Sequence, residues 1–239
     1  EVFQAHNGEW YLTYHAYELS HYSLGRQMCL EPVEWSDEGW WKTKNGKIPS
    51  EHNFVPELKQ VEYALQDSDN FDSVVLGKQW FFHREADFSG KSWSLEDKPG
   101  YLRLKTHTGD ISSETASNNV FLQRVMHKKF DIITEVTFDA QEGHEAAGLH
   151  LYHNPKKNIW LTSTTVDGQK VFEVGSYDKP FLSDVDPAQM EPAEIMKTYR
   201  LAPKKKTILK RVANTIGNKV FLKMSINGYE MVHFFYSSD

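Results

Sequence analysis

The sequence predicts an all-β protein whose short antiparallel strands pack as a sandwich or barrel. Three observations carry this expectation. Apolar and polar residues alternate with period two in one stretch after another. Tight-turn pairs, Asp167-Gly168 and Asn227-Gly228, separate such stretches. Aromatic side chains make up 13% of the chain's 239 residues, while helix signals are nearly absent. Rings fill sheet cores and also stack on sugars, and composition alone does not separate those uses.

The elements follow in order. In Trp10 to Tyr17 one face carries Trp10, Leu12, Tyr14 and Ala16, and the other Tyr11, Thr13, His15 and Tyr17. A second alternating run covers Leu24 to Trp35, with Leu24, Arg26, Met28 and Leu30 on one face until Pro32 interrupts it. Asp37-Glu-Gly39 marks a turn before Trp40 and Trp41. Residues 45–70 lose periodicity, carry Asn45-Gly46, Pro49 and Pro56, and read as a linker. From Phe71 onward strand follows strand. Tyr101 to Lys105 alternates, and Phe130, Ile132, Thr134, Val136 and Phe138 make one face of a long strand. Asn154 to Asn158 turns the chain between Gly148–Tyr152 and Ile159–Thr162. Val220–Ile226 and Tyr229–Tyr236 flank Asn227-Gly228 as a hairpin, and the one helix expected runs from Pro192 to Tyr199.

Composition excludes several classes. A net charge of −6, from 27 basic and 33 acidic residues, gives no basic stripe for nucleic acid. No apolar run approaches the roughly 20 residues of a membrane helix. Cys29 is the single cysteine, so no internal disulfide framework exists; inside an alternating strand it reads as a structural thiol. Glu1-Val-Phe-Gln-Ala has neither the charged start nor the apolar core of a signal peptide. The chain ends just after a strand pattern, and it is expected to be a piece of a longer protein.

Gly-x-Ser-x-Gly, a phosphate-binding loop and Gly-x-Gly-x-x-Gly are all absent from the sequence. Eleven histidines are present, but His150 and His153 fall on opposite faces of a strand, and no zinc spacing occurs. Asp67, Asp69 and Asp72 could offer oxygens to a Ca²⁺ ion; otherwise they form a polar turn. Lys204-Lys-Lys206 reads as a solvated turn rather than a polyanion site. Of Glu9, Glu18, Glu31, Glu34, Asp37 and Glu38, most flank turns or alternate outward, as solvated surface acids do. From its residues alone, the chain is an aromatic-rich β protein without a complete active site.

Longer motifs add a resemblance. Gly8-Glu-Trp-Tyr-Leu-Thr-Tyr-His-Ala-Tyr-Glu18, then Leu24-Gly-Arg-Gln-Met-Cys-Leu-Glu-Pro-Val-Glu-Trp35 and Asp37-Glu-Gly-Trp40, resemble the last blade of glycoside hydrolase family 43. Phe71-Asp-Ser through Gln79-Trp80, Pro99 to Lys105, Phe121 to Arg124, Ala147 to Trp160 and Tyr229 to Asp239 resemble that family's accessory C-terminal domain. The resemblance implies the end of a five-bladed β-propeller in residues 1–44, a linker in 45–70, and a concanavalin-A-like β-sandwich, or jelly roll, in 71–239, truncated at its far end. It implies β-xylosidase or α-L-arabinofuranosidase activity with inversion, which needs two carboxyl groups roughly 6.5–9.5 Å apart. That catalytic pair, and the histidine near the propeller's central ion, would lie in earlier blades, so no catalytic residue falls in this chain. One functional residue carries over: the arginine of the Leu-Gly-Arg motif, which lines the sugar subsite in related xylosidases, is Arg26. A guanidinium fork suits sugar hydroxyls and carboxylates. His15 faces the pocket or packs in the core, and the core is favoured; Trp10, Trp35 and Trp40 read as blade packing.

The partners implied are a xylo- or arabino-oligosaccharide and the upstream propeller, with neither nucleic acid nor membrane. No cofactor is needed for the chemistry, and calcium would be structural. A bacterial periplasmic or extracellular location is favoured over the cytoplasm. Two rival readings stand beside the hydrolase: a carbohydrate-binding module, and a purely structural sandwich. A binding module would need a row of exposed, coplanar rings, for which Tyr11, Trp80, Trp93 and Tyr152 are the candidates.

Overall fold

Alternation turns into strand pairing throughout the structure, a computed structural model describing residues 1–18, 21, 24–46, 50, 52–53, 66–83, 91–109, 111, 120–178, 191, 193–194, 197, 205–228 and 231–239. Two compact units divide the chain: residues 1–65 with 125–128 and 228–230, and residues 66–124, 129–227 and 231–239.

The first unit is one antiparallel sheet of β1 (Val2–Gln4), β2 (Trp10–Tyr17), β3 (Arg26–Trp35) and β4 (Trp41–Thr43), in that order. A four-stranded antiparallel sheet is the form of a propeller blade. β1 was not foreseen, because three residues show no period. Contrary to expectation, β3 runs straight through Pro32. The Pro32 carbonyl accepts the Lys44 N–H at 3.0 Å, so its missing donor faces the side where β4 has already ended. A strand tolerates proline where no ladder bond is due. Gly39, at φ 81°, closes the β3–β4 turn, with its N–H on the Ser36 carbonyl at 3.0 Å.

Glu31 corrects the reading of the acids as solvated. It is fully buried. Its carboxylate accepts the Ser50 N–H at 2.9 Å, Asn53 Nδ2 at 2.8 Å, the Ser50 hydroxyl at 3.3 Å and Asn45 Nδ2 at 3.4 Å. A buried carboxylate persists only when hydrogen bonds replace its water. These fasten the described part of the segment after β4 to the blade.

In the second unit, β10 (Ala146–Asn154), β11 (Lys157–Val166), β12 (Gln169–Asp178) and β13 (Lys205–Ala213) form an antiparallel sheet in sequence order. A second sheet runs β15 (Val232–Ser237), β14 (Lys219–Ile226), β9 (Phe130–Thr137). Leu161 and Phe172 of the first meet Val220 and Leu222 of the second, with Val136, Leu149, Val174 and Phe234 around them. Two short pairs complete the unit: β5 (Trp80–Phe82) with β8 (Phe121–Gln123), and β6 (Trp93–Ser94) with β7 (Arg103–Leu104). Two packed antiparallel sheets make the expected sandwich.

Turn chemistry is visible at three hairpins. Asp167 at φ 50° and Gly168 at φ 76° form a two-residue turn with both φ values positive, closed by the Val166↔Gln169 pair. Pro155 and Lys156 turn the chain between Asn154 and Lys157, with the Lys156 N–H on Asn154 Oδ1 at 2.8 Å. Asn227-Gly228 does join β14 to β15, but in a longer loop. The register closes at Ile226↔Val232, and Asn227 exchanges bonds with Met231, N–H to carbonyl and Oδ1 from N–H, each at 3.2 Å. Tyr229 lies outside the described residues. So does most of the helix expected over 192–199, of which Ala193, Glu194 and Lys197 are helical. Among the described residues no helix is long and apolar enough to cross a membrane.

Glu31→Leu leaves several donors of 45–53 without their acceptor, and is expected to cost about 2–4 kcal/mol, measured by denaturant unfolding of the protein. The Tyr101 hydroxyl, 2.5 Å from Glu135, and Lys219, at 3.1 Å, hold the Glu135 carboxyl below its ordinary value of 4.5. Lys223 does the same for Asp131, and the N–H groups of Gln141 and Glu142 for Glu145. Carboxyls depressed in the folded state contribute stability above their unfolded values and lose it as pH falls through the folded ones. The melting temperature should therefore drop as pH is lowered below about 4.5, and Glu135→Gln should flatten part of that drop.

Candidate functional site

Hairpin register decides what surrounds Arg26. β2 and β3 pair antiparallel with Tyr17 opposite Arg26 and His15 opposite Met28. Alternation then places His15, Tyr17, Arg26 and Met28 on one face at one end of the sheet. Gly25, at φ 71°, brings the chain into β3 in a conformation that favours glycine. Arg26 Nη1 lies 2.5 Å from His15 Nε2, and the guanidinium carbon 5.8 Å from the Tyr17 ring centre. Arginine stays protonated, so it donates and His15 Nε2 accepts. The ring proton of His15 is thereby assigned to Nδ1.

One expectation changes here. His15 is exposed rather than packed in the core, and Met28 opposite it is 83% exposed. The reason is shared: both lie at the end of the sheet where their face is uncovered, while further along the same face Tyr11 is buried. Cys29 is partly buried, with its thiol on the Gln27 carbonyl at 3.7 Å. Tyr17 was missed as a companion of Arg26. The signal for it was the hairpin register, which a single strand's periodicity does not contain. Chemically the cluster offers an oriented guanidinium, a neutral imidazole and an aromatic face, donors and a platform that suit a polyhydroxylated or carboxylate-bearing ligand.

The three aspartates proposed for calcium do not converge. Among the described residues, no group of three or more His, Cys, Asp or Glu side chains could hold a metal ion. Asp69 is committed to protein donors instead: its Oδ1 accepts the Phe71 N–H at 2.8 Å, and its Oδ2 accepts Gln79 Nε2 at 3.0 Å and Trp80 Nε1 at 2.8 Å. Asp72 accepts from Asn70, and the Asp67 carbonyl accepts Gln123 Nε2 at 2.9 Å. A carboxylate that already has three donors is a poor ligand for a hard cation. The clamp holds Phe71 at φ 56° and sets its ring 5.6 Å from Trp80.

Comparison with known proteins decides the family. Residues 68–239 match the Beta xylosidase C-terminal Concanavalin A-like domain, and residues 1–41 match Glycosyl hydrolases family 43. The chain belongs to glycoside hydrolase family 43. A non-reducing end alpha-L-arabinofuranosidase of Bacteroides ovatus is 33% identical over 151 residues, 62% of this chain and 28% of that protein. A xylosidase/arabinosidase of Butyrivibrio fibrisolvens is 28% identical over 178 residues, 71% of this chain and 33% of that one. A crystal structure of a family 43 protein from Bacillus licheniformis superposes with a TM-score of 0.74 at 27% identity, over 99% of this chain and 41% of that one. The chain thus spans about a third of the length of the curated relatives it matches.

Within this family 43 chain, the rings considered for a sugar platform are occupied. Tyr11 is buried, and its hydroxyl donates to Glu9 at 2.7 Å. Trp80 and Trp93 both meet Phe121 edge-on, and Tyr152 bonds His83 at 2.7 Å. These four rings form no exposed coplanar row. Of the tryptophans read as blade packing, Trp10 meets Trp35 edge-on at 5.3 Å, whereas Trp40 is 74% exposed. His150 stacks on Trp160 while His153 is exposed, as opposite faces require. Lys205 and Lys206 do not sit in a solvated turn: they are the first two residues of β13, and Lys206 lies over Trp160 at 5.6 Å, while Lys204 lies outside the described residues.

Asp69→Ala removes the shared acceptor of Phe71, Gln79 and Trp80. It should destabilise the sandwich by about 2–4 kcal/mol in denaturant unfolding. Millimolar calcium should leave the melting temperatures of the wild type and of this variant unchanged.

Proposed function

We propose that the chain is part of an exo-acting glycosidase, a β-xylosidase and/or α-L-arabinofuranosidase that hydrolyses plant hemicellulose fragments with inversion. The observation that carries this reading is the exposed Arg26–His15–Tyr17 cluster, which lies inside the residues matching the hydrolase family. The names of the relatives, an arabinofuranosidase and a xylosidase/arabinosidase, support the substrate class. In this reading Arg26 donates to sugar hydroxyls and pairs with a catalytic carboxylate, favouring its ionised form. The acid and base come from propeller residues outside this chain, with a water between them; that chemistry needs no cofactor. The sandwich shapes or shields the active site. The substrate is a xylo- or arabino-oligosaccharide, and the setting is periplasmic or extracellular.

Arg26→Ala in the full-length protein should leave folding intact and lower kcat/KM by at least ~10²-fold, about 2.7 kcal/mol of transition-state stabilisation. Arg26→Lys should recover only part, since an ammonium does not reproduce the planar fork. Steady-state kinetics with an aryl-xyloside and an aryl-arabinoside measure both. Unchanged kcat/KM on the preferred substrate would return Arg26 to an ordinary surface strand.

A further inference from the structure

An arginine side chain has many rotamers, and an exposed one spends little time in any single pose. Fixing it on ligand binding costs conformational entropy, which a protein avoids by holding the side chain beforehand. Arg26 is exposed, yet it is restrained twice from the neighbouring strand. His15 Nε2 accepts from Nη1 at 2.5 Å, and the Tyr17 ring centre lies 5.8 Å from the guanidinium carbon. Both partners come from β2 through register: Tyr17 stands directly opposite Arg26, and His15 one diagonal step away.

The contact has a chemical requirement. Two cations do not share a hydrogen bond, so only the imidazole lone pair can meet the guanidinium. An exposed polar bond of this kind adds little to folding, because water offers the same partners in the unfolded chain. Histidine also caps only one end of the fork, leaving further N–H donors for a ligand. The pair is therefore better suited to orienting the arginine than to holding the sheet together.

We propose that His15 is the positioning residue for Arg26: as a neutral acceptor it fixes the guanidinium in the pose that meets ligand oxygens, without touching the ligand itself. The proposal rests on the reading of Arg26 as part of the sugar subsite. It predicts that the two residues act as one unit, and that any acceptor of similar reach can replace the imidazole.

The test is steady-state kinetics on the full-length protein with the preferred aryl glycoside, for His15→Leu, His15→Gln, Arg26→Ala and the His15→Leu/Arg26→Ala double variant. His15→Leu should lower kcat/KM about 10-fold with an unchanged melting temperature. His15→Gln, whose amide oxygen can accept from Nη1, should recover most of that loss. The double variant should be no worse than Arg26→Ala alone, because the effect of His15 passes through the arginine. A harmless His15→Leu beside a damaging Arg26→Ala would overturn the positioning role and leave the subsite reading standing. Losses that add in the double variant would also overturn it, as would His15→Gln behaving like His15→Leu. A harmless Arg26→Ala would instead sink the subsite reading, and this proposal with it.

Discussion

The meeting of Leu161 and Phe172 with Val220 and Leu222 is the constraint on which the sandwich depends. Each strand presents alternate residues to that layer, and a slip of one residue in any ladder would turn its apolar set outward. β14 shows the lock most plainly: Val220, Leu222, Met224 and Ile226 are buried, and the residues between them are not. Once the inner faces are fixed, the outer faces follow. On the outer face of the larger sheet Trp160 packs between His150 and Tyr177, directly over Gly175. A β-carbon at Gly175 would fall 2.3 Å from the Trp160 ring, so the absence of a side chain there is what lets the indole lie on the sheet.

Carboxylates satisfied by protein donors hold what the apolar layer does not reach. Glu31 gathers Asn45, Ser50 and Asn53 using neutral donors alone. Glu173 uses a charged partner, Arg211, whose Nε and Nη2 both lie 2.9 Å from Oε2. Asp69 ties a strained Phe71 to Gln79 and Trp80. Glu31 and Asp69 do what apolar packing does poorly: each specifies one geometry for an irregular segment, because a donor left without it would stay unpaired, whereas Glu173 and Arg211 pair across two regular strands.

The candidate site obeys the opposite rule. His15, Tyr17, Arg26 and Met28 are exposed, and their arrangement depends on the β2–β3 register rather than on burial. A site made of exposed side chains on a rigid ladder can be altered at little cost to folding, so binding and stability separate. That separation makes a family 43 chain a tractable subject for substitution, since changes in kinetics need not be confounded with unfolding.

By itself the sequence determined most of the long strands, most of the turns and the family resemblance. Period two reports burial on one face, and Asp167-Gly168 reports positive φ; both are local properties that any window of the chain contains. It also singled out Arg26. What it did not contain was pairing. The long strand through Pro32 became possible only because β4 ends beside it, and the wider loop at Asn227 only because a side-chain bond to Met231 closes it. The exposure of His15 and Met28, the burial of Glu31 and the commitment of Asp69 to Phe71, Gln79 and Trp80 all depend on which residues arrive from elsewhere in the chain. A carboxylate reads the same in sequence whether water or Ser50 and Asn53 satisfy it; only the tertiary structure decides, because hydrogen-bond partners are set by position in space and not by spacing along the chain.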